Sequence, residues 1–340
     1  MSAGPAALPS ALERVVPLLR CPLCREGLRP ADAGPDGAVA RAVVCGAGHS
    51  FDRARHGYLS LFGPRGRRFP GDTADQVAAR DRVLGSGLFD GVVGVLAEVA
   101  REAVADGGPA VGSRPWPGPV VLEAGAGTGH YLAGVLDALA GIATATATAT
   151  GAGIATATAT ATGAATGAET RGTGGVLGIG TEISAAAARR LARAHPDAAA
   201  LVADTWEGLP LADGIADLVQ VVFAPRNAAE FARVLRPGGT LAVVVPGEGH
   251  LEPLRTAGGM LAPAPDKVAR LDSELGGAFE PGPVRVVDRH HEVPATVAVD
   301  LALMGPSGVH LDRARLEHTL GPGDRPVRVH LEVHTYRRPR

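Results

Sequence analysis

The chain has 340 residues, 46% of them hydrophobic, with a formal charge of −2 and a pI near 6.6. That length holds one small and one large domain with a proper core, and the near-neutral balance excludes bulk attraction to phosphate, so any nucleic-acid surface has to be a local patch. The opening segment carries prolines and no basic-then-apolar signal pattern, so the expectation is a cytoplasmic protein.

All three cysteines lie near the amino terminus, in Cys21-Pro22-Leu23-Cys24 and Cys45-Gly46-Ala47-Gly48-His49. Two pairs of ligands separated by a loop of twenty residues form the donor set of a tetrahedral structural zinc site: Cys21, Cys24, Cys45 and His49. The bland alternative is three free cysteines in a reduced core. Four protein ligands leave no open position, so the metal's task is to hold together a module of about sixty residues that buries too little apolar surface alone. Arg53, Arg55, Arg65, Arg67 and Arg68 follow within sixteen residues, alongside Tyr58, Phe62 and Phe69. Such a mixture offers phosphate contacts and stacking rings, and also reads as a solvated basic loop over core aromatics. The expected organisation is a zinc module over 1–63, connector helices over 64–110 and a larger domain over 111–340.

The larger domain opens on Val120-Val121-Leu122-Glu123-Ala124-Gly125-Ala126-Gly127-Thr128-Gly129, an apolar strand running into an acidic residue and a glycine loop, followed by a helical stretch from Tyr131 to Ala140. In an α/β sheet this brings bare backbone against a nucleotide-like ligand, although such loops also serve as plain tight turns. The dinucleotide fingerprint would need glycine where His130 stands, so S-adenosylmethionine fits better than a nicotinamide. Residues 141–152 are repeated unchanged at 153–164 as an Ala/Thr tract, which reads as a disordered insertion over 141–174.

A second strand, Val176 to Ile179, leads to Glu182-Ile183-Ser184, where an acidic side chain can accept from two ribose hydroxyls. Leu201-Val202-Ala203-Asp204-Thr205-Trp206 and the apolar run 217–223 read as further buried parallel strands. Residues 233–239 close a helix with a turn before a strand over 240–245. Near the end, Val327, Val329, Leu331 and Val333 alternate with Arg328, His330, Glu332 and His334, which predicts a strand with one buried face and solvent-facing histidines.

Taken in order, the zinc quartet, His49-Ser50-Phe51-Asp52, Gly57-Tyr58-Leu59-Ser60-Leu61, Gly71-Asp72-Thr73, Ala79-Arg80, Phe223-Ala224-Pro225-Arg226-Asn227, His250-Leu251 and Met304-Gly305-Pro306 resemble the bacterial 23S ribosomal RNA (guanine-N1)-methyltransferases. The closer likeness is to the tylosin-resistance, or macrolide-resistance, type. The resemblance covers most of the chain apart from the Ala/Thr insertion. It implies a Rossmann-like class I S-adenosylmethionine-dependent methyltransferase domain with a small N-terminal zinc-binding domain, an RNA hairpin as substrate, and a homodimer sharing an RNA cleft.

On that reading Glu123, Gly125, Gly127, Gly129 and His130 form the loop around the cofactor's methionine portion, Glu182 binds ribose, and Asp204 accepts from the adenine amino group with Thr205 beside it. Asp204 has a rival role in turn formation. Guanine N1 must lose its proton as the methyl arrives, so a base or a relay to water is needed. His250 is one candidate base, Asn227 could orient the base edge and Arg226 could hold phosphate or stabilise charge on O6; the latter two could equally cap the following helix. Two alternatives stay open: a methyltransferase for a small molecule or antibiotic, and a zinc-dependent RNA-binding protein that no longer catalyses.

Overall fold

The computed structural model describes residues 10–31, 41–63, 66, 71–106, 116–140, 175–252, 254–258 and 267–340. The Ala/Thr insertion lies outside them, as do Arg65, Arg67, Arg68 and Phe69.

The chain opens with α1 (Ala11–Val15), started by a capping box between Ser10 and Glu13. Next come β1 (Arg29–Pro30), β2 (Ala42–Val44) and β3 (Ser50–Asp52), a small antiparallel sheet. Strand β4 (Leu59–Ser60) leaves that sheet for the large one. Two connector helices follow, α2 (Ala74–Gly85), capped by Thr73 and Gln76, and α3 (Asp90–Ala105). The larger domain then alternates β5 (Val120–Ala124), α4 (130–140), β6 (Leu177–Glu182), α5 (Ala185–Leu191), β7 (Ala198–Val202), β8 (Ala216–Val222), α6 (Ala228–Val234) and β9 (Leu235–Pro246). It ends with α7 (Leu254–Ala257), α8 (Lys267–Leu275), β10 (Glu280–Val293), α9 (Ala295–Leu303), α10 (Arg313–Leu320) and β11 (Arg325–Arg337).

The large sheet runs β10-β11-β9-β8-β5-β6-β7-β4. Strands β4 to β9 pair in parallel, and β11 is antiparallel to both its neighbours. Set aside β4, and this is the order of the expected class I methyltransferase domain. Every residue of β5, β7 and β8 is buried, which is why these strands read as unbroken apolar runs. Side chains of β5, β8 and β9 alternate between two cores: Val121, Leu218 and Ala242 face the helices α3, α4 and α9, while Val120, Leu122, Val219 and Val243 face α6, α8 and the zinc module. After β5 the chain builds outward through β6 and β7, then returns to lay β8 on the other side of β5. The strand order therefore reverses between β5 and β8, and ligands of open α/β sheets bind outside the carboxyl ends of strands at such a point.

Three details depart from the sequence expectations. The second strand extends to Glu182, making that residue the last of β6. Arg236-Pro237-Gly238-Gly239 is taken up inside β9 as an irregularity between the pairs Ala216↔Leu235 and Leu218↔Thr240, so no separate turn forms. His334 is 5% exposed and bonded through Nε2 to Glu332 (2.9 Å), against the solvent-facing expectation. His334 stands opposite Val243 and on the same face as Tyr336, and that face of the sheet is covered by α6 and α8.

The zinc module is fastened to the sheet along one side of β7. Beyond the β4–β7 pairing, Leu61 N–H donates to Val202 (2.8 Å), Arg20 N–H to Pro210 (2.9 Å) and Ala212 N–H to Leu18 (2.8 Å). Arg14 reaches Asp197 at 2.5 Å, and Leu19 bridges Leu211. Among the described residues no single helix is long and apolar enough to cross a membrane.

Asp217, fully buried, ties the middle of the fold: Oδ2 accepts from Val120 N–H (2.9 Å) and Oδ1 from Arg236 Nε (2.7 Å), while Arg236 also donates to the Ala103 carbonyl of α3 (3.1 Å). Removing the carboxylate leaves a largely buried guanidinium and a backbone N–H without their partner. Asp217→Ala is expected to lower unfolding free energy by about 3–5 kcal/mol, read as a shift of the urea midpoint at unchanged m-value.

Candidate functional site

At the amino-terminal centre the ligand atoms of Cys21, Cys24, Cys45 and His49 all lie within 4.8 Å of one another. Cys24 and Cys45 Sγ are 3.6 Å apart, and His49 Nδ1 is 3.3 Å from Cys45 Sγ and 3.6 Å from Cys21 Sγ. With metal–sulfur bonds of about 2.3 Å, a tetrahedron has edges near these lengths. The donor set therefore fits one zinc ion, with Nδ1 as the imidazole ligand and no coordination position left over.

The glycine loop sits at the reversal point of the sheet. Gly125 and Ala126 N–H groups both donate to the Thr181 carbonyl (2.9 Å), which ties the loop to β6. Gly125 has φ +74°, and a Cβ placed on it would stand 2.4 Å from the Cβ of Ala224. Only glycine meets both demands, the positive φ and the close approach of the loop that follows β8. Beneath the loop, Glu123 is fully buried, accepting from Gln220 Nε2 (3.0 Å) and from the Leu132 amide in the first turn of α4. Burial pushes its carboxyl up to about 8, with the nearby Glu182 charge acting in the same direction. Glu123 thus holds the loop from below.

Glu182 faces the loop from the end of β6. Its Oε1 accepts from Ile183 and Ser184 N–H (2.9 and 2.8 Å) and its Oε2 from Gly127 N–H (2.8 Å). Burial raises its pKa while those amides pull it down. A carboxylate offers about four acceptor positions, so one stays open, on Oε2 beside Gly127. Asp204 realises the turn role: Oδ1 accepts from Trp206 N–H (2.9 Å), while Oδ2 is buried with no hydrogen-bond partner among the described residues. An orphaned acceptor of this kind is costly unless a ligand donor, such as an exocyclic amine, reaches it. The Gly125–Gly129 backbone, Glu182 and Asp204 therefore fit an adenosyl cofactor.

Other predicted residues have different surroundings. His130 lines a cavity of about 530 Å³ with Asp81, Asp90, Asp137, Arg190 and Arg193, and none of Glu123, Glu182 or Asp204 borders it. Arg226 is held by Glu274 of α8 (2.8 Å). Asn227 caps α6 through Glu230 N–H (3.3 Å) and donates to the Thr205 carbonyl (2.9 Å), tying the loops after β7 and β8 together. The capping alternative is thus realised for Asn227, and neither side chain reaches Glu182 or Asp204 directly. His250 is buried, and its Nδ1 accepts from His330 N–H (3.2 Å). That bond places the neutral ring's proton on Nε2.

Two features were not legible in the sequence. Phe223, the first residue past β8, has φ +55°, is 46% exposed, stacks on His250 (centroids 6.4 Å, 24° between planes) and meets Phe89 edge-on at 6.5 Å. A bulky residue in the left-handed region beside a ligand site points to function. The second is a basic surface assembled from two domains. Gly57 packs on Ala192, and His56 has its pKa lowered by desolvation and then by the charges of Arg55, Arg189 and Arg193. Arg55, Arg189 and Arg193 are exposed. Tyr58 instead packs on the core, as the bland reading had it.

Comparison with known proteins adds three likenesses. A zinc-ribbon family model described as RlmA, N-terminal, matches residues 19–64. The chain is 39% identical over 322 residues to a provisionally named 23S rRNA (guanine-N(1)-)-methyltransferase of Micromonospora griseorubida, covering 94% of this chain and 96% of the relative. It is 37% identical over 306 residues to the 23S rRNA (guanine(748)-N(1))-methyltransferase of Streptomyces fradiae, covering 88% and 89%.

The raised pKa of Glu123 has a sign that can be tested. Between about 4.5 and about 8 the unfolded carboxyl has lost its proton and the native one has kept it. Over that window the native state binds more protons, so this residue makes stability fall as pH rises. Glu123→Gln is expected to gain on the wild type steadily from pH 5 to 8, by about 2–5 kcal/mol at the upper end, in urea unfolding at each pH. A constant difference would refute the assignment.

Proposed function

The chain belongs to the family of 23S rRNA (guanine-N1)-methyltransferases, and from that membership we propose that it methylates N1 of one guanine in a hairpin of 23S rRNA, at the position for which its Streptomyces fradiae relative is named, guanine 748. The observation that carries the reading is the conjunction, in one frame, of a glycine loop with an orphaned acceptor at Asp204 and a basic face shared by the zinc module and the α5 region. We extend the proposal to a homodimer sharing the RNA cleft and to macrolide resistance of the tylosin type, both following from the family resemblance.

S-adenosylmethionine supplies a methyl group already activated on sulfonium, so the protein's task is positioning. Glu182 holds the ribose through its open acceptor site, and Asp204 Oδ2 takes the adenine amino group. Phe223, stacked from behind by His250, offers a face on which the target guanine lies. Asn227 fixes the relative position of the loops after β7 and β8, and Glu274 anchors Arg226 beside them. His250, with Nδ1 occupied and Nε2 protonated, supports the platform and does not serve as the base; the N1 proton leaves by relay to water. Arg55, Arg189 and Arg193 grip the hairpin backbone.

Transfer of labelled methyl to unmodified 23S rRNA, mapped by primer-extension arrest, is expected to give a single stop at one hairpin guanine, and the gene is expected to raise tylosin tolerance in a susceptible host. Label appearing only in small molecules would move the assignment to the antibiotic-methyltransferase reading. Sedimentation of the same preparation reads the dimer. Phe223→Ala is expected to lower kcat/KM for RNA by about tenfold or more, with cofactor affinity unchanged and Phe223→Trp largely active. Equal loss in both variants would deny the ring its stacking role.

A further inference from the structure

The cofactor pocket described above has acceptors for ribose and adenine but no group yet assigned to the negative end of the ligand. The connector helix α2 places a cation against the loop. Arg80 lies on it, and a Cβ built on Gly127 would stand 3.6 Å from Arg80 Nη1 and 3.8 Å from its Cδ. The guanidinium therefore lies over the bare backbone of the glycine loop, at the residue whose N–H is bonded to Glu182 (2.8 Å).

Its own anchoring is specific. One Nη is paired with Asp72 and the other donates to the Met304 carbonyl (2.9 Å). Asp72 is fixed in turn, its carbonyl accepting from Ser184 Oγ (2.7 Å), while Gln76 of the same helix reaches the Gly305 carbonyl (3.4 Å). The segment 71–80 is thus strapped across the end of β6 and to the turn after α9. A guanidinium has five N–H donors in a rigid fork. The two bonds above leave Nε–H and one hydrogen on each Nη, and the side chain keeps 27% of its surface open.

Glu182 lines this region, with Asp72 at its rim, so the local field is acidic apart from Arg80. Such a field suits the sulfonium and ammonium of the methionine portion and repels its carboxylate. We propose that Arg80 is the positioning residue for the cofactor's α-carboxylate, which takes its free N–H groups as a charge-assisted pair while Asp72 and Met304 hold the fork in place. The assignment rests on the methyltransferase reading above and names the part of the ligand that reading left without a partner. It also gives the connector helix a role in the pocket, so that the cofactor is held by the zinc module's tether as well as by the sheet.

The test compares two ligands by isothermal titration on the full zinc-loaded chain: S-adenosylmethionine and its decarboxylated analogue. Wild type is expected to prefer the carboxylated ligand. In Arg80→Met the dissociation constant for S-adenosylmethionine is expected to rise at least ~10-fold while that of the analogue changes less than about threefold, so the preference collapses. Equal weakening of both ligands would make Arg80 merely structural, and no change in either would remove it from the site; each overturns the proposal. If Arg80→Met loses its cooperative melting transition, Asp72→Asn decides, since it removes the anion sharing the guanidinium: the preference for the carboxylated ligand is expected to grow, and an unchanged preference overturns the assignment. A wild type that binds both ligands alike defeats this inference alone, whereas one that binds neither defeats the methyltransferase reading on which it rests.

Discussion

Gly125 against Ala224 is the contact on which the site depends. The loops leaving β5 and β8 pass so close that a single methyl group would collide with the opposing side chain at 2.4 Å. That approach is possible only because the strand order reverses between these two strands, and it brings their loops to one point. The rest of the site is arranged around it. Glu123 supports the loop from below, Glu182 faces it from β6, and Phe223, one residue before Ala224, has a positive φ and a half-exposed ring packed on His250 and Phe89.

Buried acids give this arrangement its electrostatic character. Glu123 and Glu182 are both pushed toward their neutral forms by burial, yet each is bonded by backbone or amide donors that favour the charged form. Glu123 remains on the neutral side, about 8, because it is the more deeply enclosed. Glu182, with three backbone N–H groups on it, is the better acceptor for a ligand hydroxyl. Two carboxyls in neighbouring positions of adjacent strands thus divide into a structural member and a binding member.

Much of this was readable from residue order. Continuous apolar runs mark β5, β7 and β8 because both faces of a parallel sheet are covered, and the four zinc ligands announce themselves by type and spacing. Features that depend on what lies across the fold carry no such local signal. His334 looks solvent-facing by alternation, and is buried because α6 and α8 cover the face on which it stands opposite Val243. Asn227 and Arg226 carry the chemistry expected of a base-orienting pair, but their partners, Thr205 and Glu274, lie about twenty and about fifty residues away. The charges around His56 come from both the zinc module and the α5 region, which no single stretch of sequence displays. No local pattern reveals a positive φ at Phe223.

The pairing of β4 with β7 has a consequence for the protein in solution. Without the zinc module, β7 would be the outermost strand on that side of the sheet, with five residues that are all apolar and no charge or proline among them to discourage a partner. Two residues of β4 and the Leu61 N–H occupy those backbone groups, and the module that presents them is itself held by a metal. A structural ion therefore guards the domain against edge-to-edge polymerisation, and metal starvation would be felt first as loss of soluble protein rather than as a slower reaction.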